Sequence, residues 1–274
     1  MVDSVIIERL DGTRYVLETL GIRVLTFNPP SPNMQHTFQQ IGKTRALKVE
    51  TKAQQLTIPL SFNVCALDNY DYELQRLKVL EIFQSYEPFY VYTTRIPYLR
   101  WKVVAESFAY SRLNNYWQAN NVTVNLVSSD GYAETVQTTL DPFTFDRETW
   151  GLGLGEPFVE NLTYKFKNGD NIDFVNIGLV PLLSEERPVR MHFNGIVPEK
   201  LSIKNKRTNQ TWEFTQQLTR KDQLIIEGMV PVLNGKLVFE HCNHSYMDFE
   251  IGRNPLEISG TKEFDLSFET RFYY

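Results

Sequence analysis

Apolar and polar positions alternate with a period of two over most of this chain. The clearest run is Leu56, Ile58, Leu60, Phe62, Val64 and Ala66, with Thr57, Ser61 and Asn63 between them. Such alternation makes a strand with one buried face and one solvated face. Pro59 falls on the polar side and has no N–H for a ladder, which predicts an edge position or a bulge. At Asp68-Asn69-Tyr70-Asp71 the period changes. Asp68 suits a helix N-cap, and Asp71 and Glu73 suit the positive end of the helix dipole. Leu74, Leu77 and Leu80 follow at helical spacing, broadened by Ile82 and Phe83, as the apolar stripe of an amphipathic helix. Glu87-Pro88 is the expected end, because a residue before proline avoids the helical region. Phe89 to Tyr92 resumes as strand, Arg95-Ile96-Pro97 turns, and Trp101 to Phe108 is strand again.

The flanking segments keep the strand grammar. Val5-Ile6-Ile7 and Tyr15-Val16-Leu17 surround Asp11-Gly12, a strong hairpin cue because both turn residues accept positive φ. Ile22, Val24 and Thr26 alternate as a strand, and Asn28-Pro29-Pro30-Ser31-Pro32-Asn33 then forms an extended or turn-rich loop. From Met34 to Lys52 the chain is polar and mixed. It reads as one long strand or a hairpin arm that pairs with the Leu56 strand. A long two-faced arm is weakly fixed by its own core, so it either projects into solvent or finds a neighbouring subunit. Val122, Val124 and Leu126 alternate as a strand that closes the first sheet.

Gly151-Leu152-Gly153-Leu154-Gly155 marks a change of composition. It neither follows a clear strand nor opens a clear helix, so a joint fits it better than a phosphate loop. The domain boundary is placed beside it: residues 1–145 and 146–274. Beyond Asn161 no helix is expected. Short apolar runs there are broken by Asn168-Gly169, Asn194-Gly195, Thr208-Asn209-Gln210 and Asn234-Gly235, the pattern of an all-β sandwich.

Composition adds modest constraints. The 274 residues are 42% hydrophobic and 22% charged, with a net charge of −5, which offers no broad attraction for nucleic acid. Aromatics reach 13%, a richness that favours β-structure or extensive interfaces. Cys65 and Cys242 lie far apart and read as free thiols in a reducing compartment. Met1 to Asp11 lacks a signal-peptide layout, and no apolar run is long enough to span a bilayer. No membrane insertion or conventional export is expected.

Candidate chemistry is thin. His241-Cys242-Asn243-His244 is the one local cluster of metal-type residues, but on a strand His241 would point away from Cys242 and His244. Asp141, Asp146, Glu148, Glu156 and Glu160 surround the glycine joint, where a solvated acidic stretch fits better than a glycosidase pair on rigid elements. No Gly-x-Ser-x-Gly elbow is present. No catalytic residue, metal site or cofactor is assigned, and the chain is not expected to be an enzyme.

Order and spacing together resemble the distal tail proteins of long-tailed phages that infect Gram-positive bacteria, the siphovirus tail component family. In the first half the resemblance rests on Ile58-Pro59-Leu60-Ser61-Phe62, the Asp68 to Phe83 helix, Glu87-Pro88-Phe89-Tyr90 and Arg95-Ile96-Pro97. In the second half it rests on Asn176-Ile177-Gly178, Pro181, Ile203-Lys204-Asn205 and the run from Gly252 to Gly260.

The resemblance implies a mainly β protein. Its N-terminal, β-sandwich-like domain with one helix assembles into a hexameric ring, and its C-terminal domain is a galectin-like β-sandwich. Such a ring joins the tail tube protein to the tail-tip protein and can carry receptor-binding parts; back-to-back ring pairs are a further expected form. The protein would reside at the virion tail tip, after assembly in the host cytoplasm. Lys43, Arg45, Leu47, Val49 and Lys52 of the arm are the candidate ring contacts. The alternative function is a carbohydrate-binding module for cell-wall saccharide, with Trp150, Trp212 and Tyr246 as the stacking platform. Alternation of Trp212 with Phe214 favours burial instead, and a closely spaced galectin sugar signature is not evident.

Overall fold

The computed structural model describes residues 4–113, 117–142, 150, 162–168 and 172–274. The chain divides into two compact units, Met1–Glu134 and Thr135–Tyr274. The Gly151–Gly155 run and the carboxylates Asp146, Glu148, Glu156 and Glu160 lie outside the described residues.

The first unit begins with the hairpin β1 (Val5–Glu8) and β2 (Arg14–Val16), turned at Asp11-Gly12, where Gly12 has φ +87°. Next come β3 (Ile22–Phe27), β4 (Met34–Ile41), β5 (Arg45–Ala53) and β6 (Leu56–Cys65). Helix α1 (Asn69–Ile82), β7 (Phe89–Thr93), β8 (Ile96–Ala105) and β9 (Gln118–Ser128) complete the main elements. The main sheet runs in the order β2-β1-β7-β8-β9-β6-β3. In β6 every second residue from Leu56 to Val64 is buried, as the alternation predicts. Pro59 lies beyond the last β3 pair, Phe27 with Leu60, so the strand has lost its β3 neighbour there. β6 pairs with β3 and β9 and not with the Met34–Lys52 arm, which pairs with itself.

The helix corrects the expected stripe. Asp68 caps it through Asp71 N–H at 2.8 Å, and Asp71 accepts Leu67 N–H at 2.8 Å in return. The residues it buries are Tyr72, Val79 and Ile82, with Phe83 stacked on Phe62 at 5.7 Å. Leu74, Leu77 and Leu80 face outward. Leu74 is about 200° around the axis from Tyr72, so two apolar stripes share one helix and spacing alone could not say which goes inside. The helix also stops at Ile82, before Glu87-Pro88. There the Arg9 guanidinium donates to the carbonyls of Glu81, Ile82 and Gln84 at 2.9, 2.8 and 2.6 Å, satisfying acceptors that have no intrahelical donor.

A charged cluster is buried in the main sheet. Arg100 reaches Glu134 at 2.8 Å and Glu8 at 3.5 Å, while Glu8 also accepts from Arg14 at 2.7 Å and from the Tyr92 hydroxyl at 2.9 Å. Burial, then the Glu8 carboxylate, push the Tyr92 phenol up to about 12. The folded state therefore favours the neutral phenol. That stabilisation is complete below the ordinary tyrosine value of about 10 and is lost as pH rises through 12. Urea titrations between pH 9 and 12 should show stability falling for the parent chain. The Tyr92→Phe variant should lack this component of the fall; identical slopes would contradict the assignment.

Among its described residues the second unit has two antiparallel sheets. One follows the order Lys165–Lys167, Phe264–Glu269, Arg190–Gly195, Leu224–Glu227, Val230–Leu233 and Lys236–Leu237. The other follows Ile172–Asn176, Gly252–Ser259, Leu201–Asn205 and Gln210–Phe214. A single core rich in aromatics, including Phe174, Phe193, Phe249 and Phe268, belongs to this unit. Three buried asparagines hold its loops: Asn176 to Val180 O and Gly178 N, Asn205 to Asp248 O, and Asn254 to Glu250 O.

Gly260 has φ +85°, and a Cβ there would overlap the Lys200 carbonyl. Gly260→Ala should therefore destabilise the chain by about 2–3 kcal/mol through backbone strain. Thermal unfolding checks this, and an unchanged transition would contradict it.

Candidate functional site

The β4–β5 hairpin is the most exposed regular element of the first unit. All eight residues of β4 and all nine of β5 are exposed. A strand pair with no buried face gains nothing from the core of its own chain. Its root is tied by Gln54 N–H to the Asn33 carbonyl at 2.8 Å, and by Met34 Sδ, 3.8 Å from the Tyr132 hydroxyl.

Register gives the arm two faces. Gln39 pairs with Leu47 and Ile41 with Arg45 near the tip; Gln35 pairs with Lys52 and Thr37 with Glu50 near the root. The register shifts between Thr37 and Phe38, leaving Val49 as the extra residue of a bulge. The bulge moves even-numbered Lys52 onto the same face as odd-numbered Arg45 and Leu47. Of the five predicted contacts, Arg45, Leu47 and Lys52 thus share one face, with Ile41 beside them. Val49 sits at the bulge and Lys43 in the tip turn. The opposite face carries Met34, His36 and Phe38, with the His36 and Phe38 rings 6.2 Å apart. Simple alternation cannot reveal the bulge, because it treats parity as unbroken.

The outward stripe of α1 is a second exposed apolar surface. Within the helix Tyr70, Leu74 and Leu77 recur at steps of four and three, and exposed Leu67 precedes the cap residue Asp68. The spacing of Leu74 and Leu77 carries this signal, although the sequence pattern alone predicts it as the core-facing stripe.

The other sequence candidates do not assemble into a site. Trp150 and Trp212 are core residues, 2% and 0% exposed, with indole N–H groups donating to Pro142 O and Met229 O. Trp212 stacks on Phe214 at 5.9 Å. Of the proposed platform, Tyr246 alone has an exposed ring, and its hydroxyl donates to Glu185 at 2.6 Å.

Phe239–His241 is a 3-10 turn and not a strand, which brings the Cys242 Sγ to 3.4 Å from His244 Nδ1. His241 turns toward Glu240 at 3.7 Å. Among the described residues no group of three or more His, Cys, Asp or Glu side chains is arranged to hold a metal ion. Asp141 accepts from Thr138 N–H and Oγ1 and closes a turn. Cys65 is exposed and Cys242 buried, both as free thiols. Among the described residues no helix is long and apolar enough to cross a membrane.

Comparison with known proteins agrees with the layout. Residues 10–128 match the family model of the phage tail protein RIFT-related domain. No curated protein matches the chain. The crystal structure of SPP1 Dit (gp 19.1), described as a paradigm of the hub adsorption apparatus in Gram-positive infecting phages, has a TM-score of 0.70 at 9% identity. That match covers 99% of this chain and 100% of the other. A chain of the phage P2 baseplate in its activated conformation with Ca has a TM-score of 0.48 at 10% identity, covering 98% of each chain.

Proposed function

Residues 10–128 carry a phage tail protein RIFT-related domain and the chain has the fold of a siphophage distal tail protein; from this premise we propose that it is the structural hub at the distal end of a phage tail. In this reading the first unit closes a hexameric ring, alone or as a back-to-back pair of rings. The second unit is a galectin-like domain outside the ring. The ring joins the tail tube protein on one side to the tail-tip protein on the other, and receptor-binding parts attach through the second unit.

The observation that carries the reading is the wholly exposed β4–β5 arm. An exposed hairpin bearing Phe38, Ile41, Leu47 and Val49 is a liability in a monomer and becomes useful only when covered. A closed ring covers every arm by symmetry. The saccharide-binding alternative has no comparable support, since two of its three rings are buried.

Negative-stain electron microscopy of the purified full chain tests the proposal. Annular particles with six-fold views are expected. Only particles of single-chain size, at every concentration, would contradict it.

A further inference from the structure

The arm has apolar side chains to cover, and α1 has an apolar stripe to cover. We propose that they cover each other between copies: the Ile41–Leu47 face of one chain's arm lies along the Tyr70–Leu77 stripe of the next chain's helix. This rests on the hub reading above and adds the surface that receives the arm.

Exposure comes first. Tyr70 and Leu77 are 75% and 60% exposed, more than a helix with a single core-facing stripe would leave open. The stripe lies opposite the side buried by Tyr72 and Val79, so it cannot be an unfinished edge of the same core.

Dimensions also match. From Tyr70 to Leu77 the stripe runs about 10 Å, while an eight-residue strand runs about 26 Å. The arm is long enough to lie along the whole stripe with its root still attached to its own sheet.

Charge then selects the occupant. The arm carries Lys43, Arg45, Lys48 and Lys52 against Glu50 alone. The stretch from Asp68 to Ile82 carries Asp68, Asp71, Glu73 and Glu81 against Arg76 and Lys78. Within the helix Glu73 stands three residues beyond Tyr70 and Glu81 four beyond Leu77, so acids neighbour the stripe at both ends. A second helix stripe of the same kind would place acid against acid, which disfavours helix-to-helix pairing of two copies.

The arm also offers one face in preference. Met34, on the opposite face, lies against Tyr132 of its own unit. The face with Ile41, Arg45, Leu47 and Lys52 is therefore the one turned away from its own chain at the root.

Paired cysteines test this in the full chain, with Cys65→Ser removing the exposed native thiol. The Leu47→Cys, Leu74→Cys double variant should give a ladder of disulfide-linked chains on a non-reducing denaturing gel, and each single variant should not. Leu77→Asp provides a second reading. It should leave the far-ultraviolet spectrum unchanged and reduce the mass in solution to one chain.

A parent chain that forms rings, with no ladder from the double variant and an unchanged mass for Leu77→Asp, would overturn the arm-on-helix contact and leave the hub reading standing. A parent chain that stays single at every concentration would overturn both.

Discussion

Replacing residues 34–53 with a two-residue Asn-Gly turn between Asn33 and Gln54 is expected to leave a folded chain that no longer assembles. Asn33 and Gln54 are already joined by a 2.8 Å backbone hydrogen bond, so a tight turn can close the gap. None of the strand residues removed is buried, so what the first unit loses lies at the root of the arm, where Met34 meets the Tyr132 hydroxyl. The change in unfolding free energy should stay within about 1 kcal/mol, the range of surface changes that touch no core. Assembly should respond far more strongly, with the mass by light scattering falling to a single chain. An assembly of unchanged mass would show that the arm is not what closes the ring.

Arg100→Met is expected to destabilise the chain by about 3–5 kcal/mol. Arg100 is 7% exposed and stands between Glu8 and Glu134, with its guanidinium 3.6 Å from the centre of the Tyr90 ring. Methionine fills much of the volume but leaves two carboxylates with less positive charge to face. Glu8 keeps Arg14, while Glu134 loses a 2.8 Å partner. Arg100→Lys should recover part of the loss and not all, because a point ammonium cannot reproduce a planar fork held between two carboxylates and stacked on a ring. Urea unfolding measures both variants. Parent-like stability for Arg100→Met would show that the cluster is dispensable.

Much of the fold is legible in the sequence because burial in β6 obeys a period of two, and because Gly12, Asn209 and Asn234-Gly235 all turn with positive φ. Helix α1 is legible at its start, where Asp68 and Asp71 make a local cap. It is not legible at its end, which Arg9 sets from a distant strand connection. Nor is its buried face, since choosing between two apolar stripes depends on what each one meets.

The arm is visible as a polar, two-faced segment, but its self-pairing and its bulge follow from register, which alternation does not encode. Asn176, Asn205 and Asn254 belong to the runs that carry the distal-tail resemblance. They are buried amides that tie loops to the second sandwich, so fold maintenance accounts for them. Trp212 conforms to its alternation with Phe214, and its burial removes it from any sugar surface.

The central claim is that this chain is a ring-forming hub, and its absolute mass in solution tests that most directly. One chain is 32.0 kDa. Light scattering on a sizing column should give a mass of six or twelve chains for the purified full-length protein. A mass of one chain, held from dilute to concentrated solution, would contradict the account.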